Sequence, residues 1–245
     1  MKHEPISFVA HRGLATMYPE NTKIAFEAAL SSRADMLEID IHRTLDQQLV
    51  VIHDETIDRT SNGNGKVADY TLASLKQFDF GISRGLQFKG QSILLLDDVL
   101  AMVKDAPQKL LIELKQPKLY PEIEKELIKK LKTYNMAEDK VIIQSFDQQL
   151  IQKLHNLNVG YKLGVLISRK QYWYRSPNFK KIARYANYIN PHYSLVTKKF
   201  LTKAKQNGLL VMPYTVNEEK LAHKLIMLGV HGLISDNPEI LMRKT

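Results

Sequence analysis

Short apolar runs alternate with amphipathic stretches from one end of the chain to the other. The runs predict strands at Ile6–Ala10, Met36–Ile41, Leu49–Ile52, Leu110–Leu114, Val141–Gln144, Leu163–Ile167, Tyr188–Asn190, Leu209–Tyr214 and Gly232–Ile234. Between them, helical spacing of apolar positions predicts helices at Thr22–Leu30, Pro121–Tyr134, Gln148–Leu157, Phe179–Tyr185, Lys198–Gln206 and Glu218–Leu228, with Gly208 and Gly229 placed as helix stops. This rhythm is the signature of repeated βα units around a parallel sheet. Met36–Ile41 and Leu49–Ile52 are too close for a crossover helix, so they read as an antiparallel hairpin turning near Asp46. Eight parallel strands remain, which predicts an α/β protein with a TIM (β/α)₈ barrel, a β-hairpin after the second strand and a short insertion near residues 60–93 that covers the mouth. No glycine-rich phosphate fingerprint follows any strand, which counts against the open-sheet nucleotide folds.

Composition narrows the setting. The 245 residues suit one barrel domain spanning 1–245. There is no cysteine, so disulfides, thiolate metal sites and a cysteine nucleophile are excluded together. Residues 1–5 do not read as a secretory leader and no apolar run reaches membrane-spanning length, so the expectation is a soluble, cytoplasmic chain with no integral membrane segment. The net charge of +9 is uneven: from Gln148 to Asn217 there is no Asp or Glu, but there are Lys153, Lys162, Arg169, Lys170, Arg175, Lys180, Lys181, Arg184, Lys198, Lys199, Lys203 and Lys205. Such a stretch either attracts anions or is simply a solvated lysine-rich surface.

In a barrel of this kind the site forms where the strands end, so the polar residues closing each apolar run are the candidates. Alternation puts Glu38 and Asp40 on one face of their strand, with Leu37, Ile39 and Ile41 on the other. Glu113 ends another inward-facing run, with Lys115 beside it. Three carboxylates make a hard-oxygen site for one divalent ion, Mg²⁺ or Ca²⁺, unless Arg12 and Lys115 alone neutralise them. His11 and His53 end strands entering the same mouth and are candidates for acid and base; His3, His42, His155, His192, His223 and His231 read as core or surface groups, His42 and His192 lying nearest a strand end. Arg12 offers bidentate phosphate recognition. Ser145 and Ser235 lack the glycines of a nucleophile elbow.

In order along the chain, His11-Arg12-Gly13, Pro19-Glu20-Asn21-Thr22, Glu38-Ile39-Asp40, His53-Asp54, Arg59-Thr60, Glu113-Leu114-Lys115 and Ser235-Asp236-Asn237-Pro238 resemble the glycerophosphodiester phosphodiesterase family. The resemblance implies a TIM-barrel enzyme hydrolysing glycerophosphodiesters, the deacylated phospholipids, to glycerol 3-phosphate and an alcohol through a cyclic phosphate. It implies His11 and His53 as acid and base, Glu38, Asp40 and Glu113 as metal ligands, Arg12 and Lys115 as phosphate-facing groups, and Asn21 as polar support. The chain departs from the family at Tyr214, where tryptophan is common, at Arg33-Ala34-Asp35, and before Leu94, where a proline is usual. These changes touch substrate choice more than the reaction, and Tyr214 is counted among the substrate-facing positions. Two other readings stay open. One is a barrel phospholipase acting on intact lipid headgroups, with Tyr172, Trp173 and Tyr174 meeting a bilayer. The other is a non-catalytic module binding anionic surfaces or nucleic acid. The expected partner is a small-molecule phosphodiester substrate and no nucleic acid, with peripheral membrane contact left open.

Overall fold

A computed structural model describes residues 6–242; the reading of residues 1–5, His3 included, lies outside the described residues. The strands are β1 (Ser7–His11), β2 (Met36–Arg43), β3 (Leu49–Val51), β4 (Leu94–Leu95), β5 (Lys109–Leu114), β6 (Val141–Ser145), β7 (Lys162–Ile167), β8 (Tyr188–Pro191), β9 (Leu210–Val211) and β10 (Gly232–Ser235). The α-helices are α1 (Lys23–Ser31), α2 (Leu72–Leu75), α3 (Leu96–Val103), α4 (Ile123–Thr133), α5 (Gln148–Asn156), α6 (Arg169–Tyr172), α7 (Phe179–Ile182), α8 (Lys198–Gln206), α9 (Glu219–Leu228) and α10 (Pro238–Met242).

Parallel pairing runs β10-β1-β2-β5-β6-β7-β8-β9. Closure comes from backbone bonds between the ends of that series, His231 N–H to Val211 O at 2.8 Å and Ile234 N–H to Pro213 O at 3.0 Å. Eight parallel strands therefore close on themselves as a (β/α)₈ barrel, as the strand rhythm predicts. The β2–β3 hairpin is antiparallel, with Ile41 opposite Val51 and Arg43 opposite Leu49.

Period-two alternation explains how the barrel carries chemistry at one end only. Val9, Met36, Leu111, Ile142, Met212 and Ile234 are buried together inside the barrel. Two residues further along the same inward-facing rows stand His11, Glu38, Glu113, Gln144, Tyr214 and Asp236, with Asp40 and Lys115 two further still. Parallel register sets them side by side, His11 opposite Glu38, Asp40 opposite Glu113, and Glu113 opposite Gln144. The apolar layer seals the barrel beneath a polar mouth.

The structure corrects some of the expectations. A short strand, β4, extends the hairpin by pairing with β3, and leads directly into α3; its two residues offer too little period-two pattern to read. The expected strand Leu209–Tyr214 is paired as β9 only at Leu210–Val211. The helix expected at Phe179–Tyr185 stops at Ile182. The insertion has its own small core, with Val50, Ile52, Ile57, Val67, Leu75, Phe80 and Ile93 packed together, and α2 begins at an N-cap where Thr71 Oγ1 accepts from Ser74 N–H. It flanks the β1–α1 loop, through Arg84 to the Thr16 carbonyl and a Tyr18–Phe88 edge contact. Among the described residues it contributes none to the lining of the inner pocket, so it walls the mouth rather than covering it.

Candidate active site

The strand ends enclose a pocket of about 130 Å³ lined by His11, Arg12, Glu38, His53, Glu113, Lys115, Gln144, Phe146 and Tyr214, among others. A wider groove of about 840 Å³ adjoins it, sharing His53, Glu113, Lys115 and Phe146 and running out between the β5–α4 loop and the segment of α6 and the residues after it. The candidates thus come together at one end of the barrel.

Each candidate histidine is held from behind by a carboxylate. His11 Nδ1 lies 2.6 Å from Asp236 Oδ1, and His53 Nδ1 lies 2.6 Å from Asp54 Oδ1. The free nitrogen of each ring, Nε2, remains for the pocket, and His11 Nε2 stands 4.0 Å from Glu38 Oε2. The two carboxylates differ in their other partners. Asp236 Oδ2 accepts from the neutral Asn217 amide at 2.6 Å. Asp54 Oδ2 is taken by Arg59 Nε at 2.6 Å, and Arg59 also forks onto Glu20 at 2.7 and 2.9 Å. Burial lowers the pKa of His53, and Lys115 and Arg12 add to that against the pull of Asp40.

Glu38, Asp40 and Glu113 are buried and each offers an oxygen within 4.8 Å of the others. Burial, then Asp40 and Glu113, drives the Glu38 carboxyl well above its ordinary range. Burial opposes the charge on Asp40 too, but Lys115 and Arg12 hold its carboxyl well below the usual range. Lys115 Nζ sits 2.6 Å from Glu113 and 3.6 Å from Asp40, and Arg12 Nε is 3.2 Å from Asp40. Three carboxylates thus face two side-chain cations, a balance that leaves one negative charge to be met by a proton on Glu38 or by a bound cation. Asp40 Oδ1, which faces Lys115 Nζ at 3.6 Å, and Asn21 Oδ1 are buried and accept no hydrogen bond, so each keeps lone pairs that a cation could use. The cluster fits a divalent ion of the hard, oxygen-seeking kind.

Arg12 takes a left-handed backbone (φ 55°), which points its N–H at Glu38 Oε2 (3.0 Å) and its side chain toward Glu20 and Asp40. Burial works against its charge, yet Asp40, Glu20 and Glu38 raise its pKa. Glu113 and Asp40 do the same for Lys115 against its burial. Asn21 lies behind the cluster, outside the pocket lining, its Nδ2 donating to Asp40 Oδ2 at 3.0 Å. Tyr214 faces the pocket, its ring edge-on to Phe146 at 5.9 Å and its hydroxyl donating to the Ile167 carbonyl at 3.2 Å.

The sequence reading assigned no role to Asp54, Asp236, Glu20, Arg59 or Asn217. Asp54 adjoins His53 in the chain, a usable signal, whereas Asp236 reaches His11 only because β10 pairs with β1. His42 is fully buried, with Nδ1 2.9 Å from the Tyr120 hydroxyl and Nε2 3.1 Å from the His53 carbonyl, and burial pulls its pKa down to about 4. It supports the backbone of His53. His192 packs on Tyr193 and bonds Ser194 at the rim.

A sequence model of the Glycerophosphoryl diester phosphodiesterase family matches residues 11–240. A glycerophosphodiester phosphodiesterase of Caldanaerobacter subterraneus subsp. tengcongensis is 38% identical over 235 residues, covering 96% of this chain and 95% of the relative. One of Bacillus subtilis is 34% identical, covering 95% and 84%. Among solved structures, an Oleispira antarctica phosphodiesterase in complex with the product sn-glycerol-3-phosphate superposes with a TM-score of 0.87 at 26% identity, covering 96% of this chain and 94% of that one.

Proposed function

Because the chain belongs to the glycerophosphodiester phosphodiesterase family, and so is a phosphoric diester hydrolase, we propose that it cleaves glycerophosphodiesters to glycerol 3-phosphate and an alcohol by two-histidine acid and base catalysis at the mouth of the barrel. The observation that carries this reading is the pairing of two imidazoles, each backed by its own carboxylate, with a buried carboxylate triad in the same pocket.

His53 serves as the base in the first step. Burial lowers its pKa and so favours the neutral ring, and Asp54 shares its charge with Arg59. It takes the proton of the glycerol 2-hydroxyl as that oxygen attacks phosphorus. His11 serves as the acid, its Nδ1 held 2.6 Å from Asp236 Oδ1, a carboxylate that, among the described residues, has no cationic side chain but this ring within ion-pair distance. It gives its proton to the departing alcohol oxygen as the P–O bond breaks. In the second step water attacks the cyclic phosphate with the proton transfers reversed. The 2-hydroxyl is regenerated and glycerol 3-phosphate leaves. Arg12 and Lys115 steady the phosphoryl oxygens as charge moves among them, from positions fixed by Asp40 and Glu113. Glu38, Asp40 and Glu113 would hold one divalent ion, Mg²⁺ or Ca²⁺, which when bound supplies Lewis-acid and template chemistry. Asn21 fixes the orientation of Asp40. Tyr214 and Phe146 form the apolar side of the pocket, which limits water beside the reacting group.

The test is release of glycerol 3-phosphate from glycerophosphocholine, with and without Mg²⁺ or Ca²⁺, by wild type, His11→Ala and Glu38→Ala. Metal-dependent release lost in both variants supports the reading, and no release with any metal ends it. The acid and base assignment has its own check. A leaving group that needs no proton, such as p-nitrophenol, should restore much of the rate to His11→Ala and none to His53→Ala; rescue of the reverse pattern exchanges the roles.

A further inference from the structure

The charged groups of the site stand at the ends of β1, β2, β3, β5 and β10, with Phe146 and Tyr214 as its apolar side, which leaves unexplained what the loops beyond β7 and β8 display. The β7–α6 and β8–α8 loops open on the same end of the barrel. Trp173 and Tyr174, which follow α6, are 73% and 64% exposed, and their rings meet edge to face at 5.4 Å. Arg175 lies over the rings of Tyr172 and Tyr174, at 5.1 and 5.6 Å. Behind them is a cleft of about 330 Å³, lined among others by Arg175, Lys199 and Lys203 with Phe200 at its base and, among the described residues, by no carboxylate. Arg169 and Lys170 are exposed beside it, and Lys118 and Leu119 are exposed on the β5–α4 loop, across the groove. Further large apolar side chains, Met17 and Leu86, are exposed on other segments at this end, whereas exposed Leu157 and Met227 sit where α5 and α9 finish, at the far end of the barrel.

We infer that the β7–β8 side of the barrel mouth is a docking surface for an anionic lipid bilayer. Three observations select this occupant. The exposed aromatics are amphipathic Trp and Tyr, which settle at the level of lipid headgroups. The charge of the cleft and of the segments that build it is of one sign, without the interspersed carboxylates that a protein partner of mixed charge would call for. Anionic headgroups are complementary to the cleft formed by Arg175, Lys199 and Lys203. The apolar exposure and the uncompensated cations coincide on the face that also carries the site, so docking turns the mouth toward the headgroup layer. This surface does not depend on the catalytic reading and could fail or hold separately from it.

Trp173 is the chain's single tryptophan, so its fluorescence reports on this surface without labelling. With vesicles of phosphatidylglycerol and phosphatidylcholine, its emission should move to shorter wavelength and become protected from acrylamide; pure phosphatidylcholine vesicles should do neither, and high salt should reverse the effect. Arg169→Glu with Lys170→Glu should weaken vesicle binding by about tenfold or more. Leu157→Glu, at the far end, should leave it unchanged. Turnover of glycerophosphocholine by the double variant within about twofold of wild type shows that its fold is intact. The inference is overturned if Trp173 stays accessible to acrylamide at saturating phosphatidylglycerol, or if Leu157→Glu weakens binding as much as the double variant. A shift that grows with protein concentration in the absence of lipid also overturns it, since a second copy of the chain would then cover the surface.

Discussion

On the side of the mouth built by β1, β2, β5 and the insertion, cations stand against carboxylates: Arg12 against Glu20 and Asp40, Arg59 against Glu20 and Asp54, Lys115 against Glu113 and Asp40. From α5 to the end of β9 the twelve cations named above have, among the described residues, one such pair, Lys153 with Glu124. The first side is a wired device, in which each charge is positioned by another and removing a buried member strands its partner away from water. The second is a field, in which each member adds a small, additive and salt-sensitive share. The two sides should therefore respond very differently to single substitutions.

The largest effect is expected from breaking the triad. Glu113→Gln should lower kcat by about 10³-fold or more, because it removes a candidate metal ligand and the partner of buried Lys115; kcat measured across a metal titration checks it. A loss below about tenfold would show the triad to be a structural charge cluster.

Next comes the asymmetry between the histidines. Removing the carboxylate behind a working imidazole can cost up to about 10⁴-fold. Asp236→Asn should lower kcat/KM by about 10²-fold or more, and Asp54→Asn by less, since Asp54 already shares its charge with Arg59. The acid limb of kcat/KM should lie below the ordinary imidazole value of about 6.5. The sign follows from burial: a lowered His53 pKa keeps the base form populated as pH falls, so activity is lost only below the usual value. Equal losses in the two variants, or an acid limb above 6.5, would remove the distinction.

A smaller effect is expected in stability. Arg59 holds the pKa of Glu20 down against burial, and with His53 sets Asp54 at about 2. Depressed carboxylates stabilise the fold above their unfolded values, near 4, and that share is lost as pH falls toward 2. Arg59 is half-exposed, so Arg59→Ala should cost about 1 kcal/mol or less at neutral pH, a Tm drop of about 2–4 °C in thermal melts. The drop should shrink below pH 3.

The smallest effect belongs to the field. Lys205→Gln should change glycerophosphocholine turnover by less than about twofold at any salt concentration. A larger change would mean that the basic side takes part in the site.

The legibility of the site follows the same division. Glu38, Asp40 and Glu113 were readable because the two-residue period of a strand is a local property, and so was the hairpin, whose short connection rules out a crossover. Asp54 was within reach as the neighbour of His53. The contact of Asp236 with His11 spans 225 residues and exists only because the barrel closes. The Arg59 fork onto Glu20 exists only because the insertion folds back along the β1–α1 loop around a core of its own. β4 is too short to carry a period, and α3 follows it without a turn signal.

The sequence by itself determined which residues point into the barrel, because alternation and helical spacing are set by backbone geometry over a few residues. It also determined that one stretch carries only positive charge. Tertiary structure alone decided which carboxylate stands behind which histidine, which cations are neutralised, and that the aromatic and basic loops open on the same face as the site. Closure and loop packing join distant segments, and no local periodicity encodes that meeting.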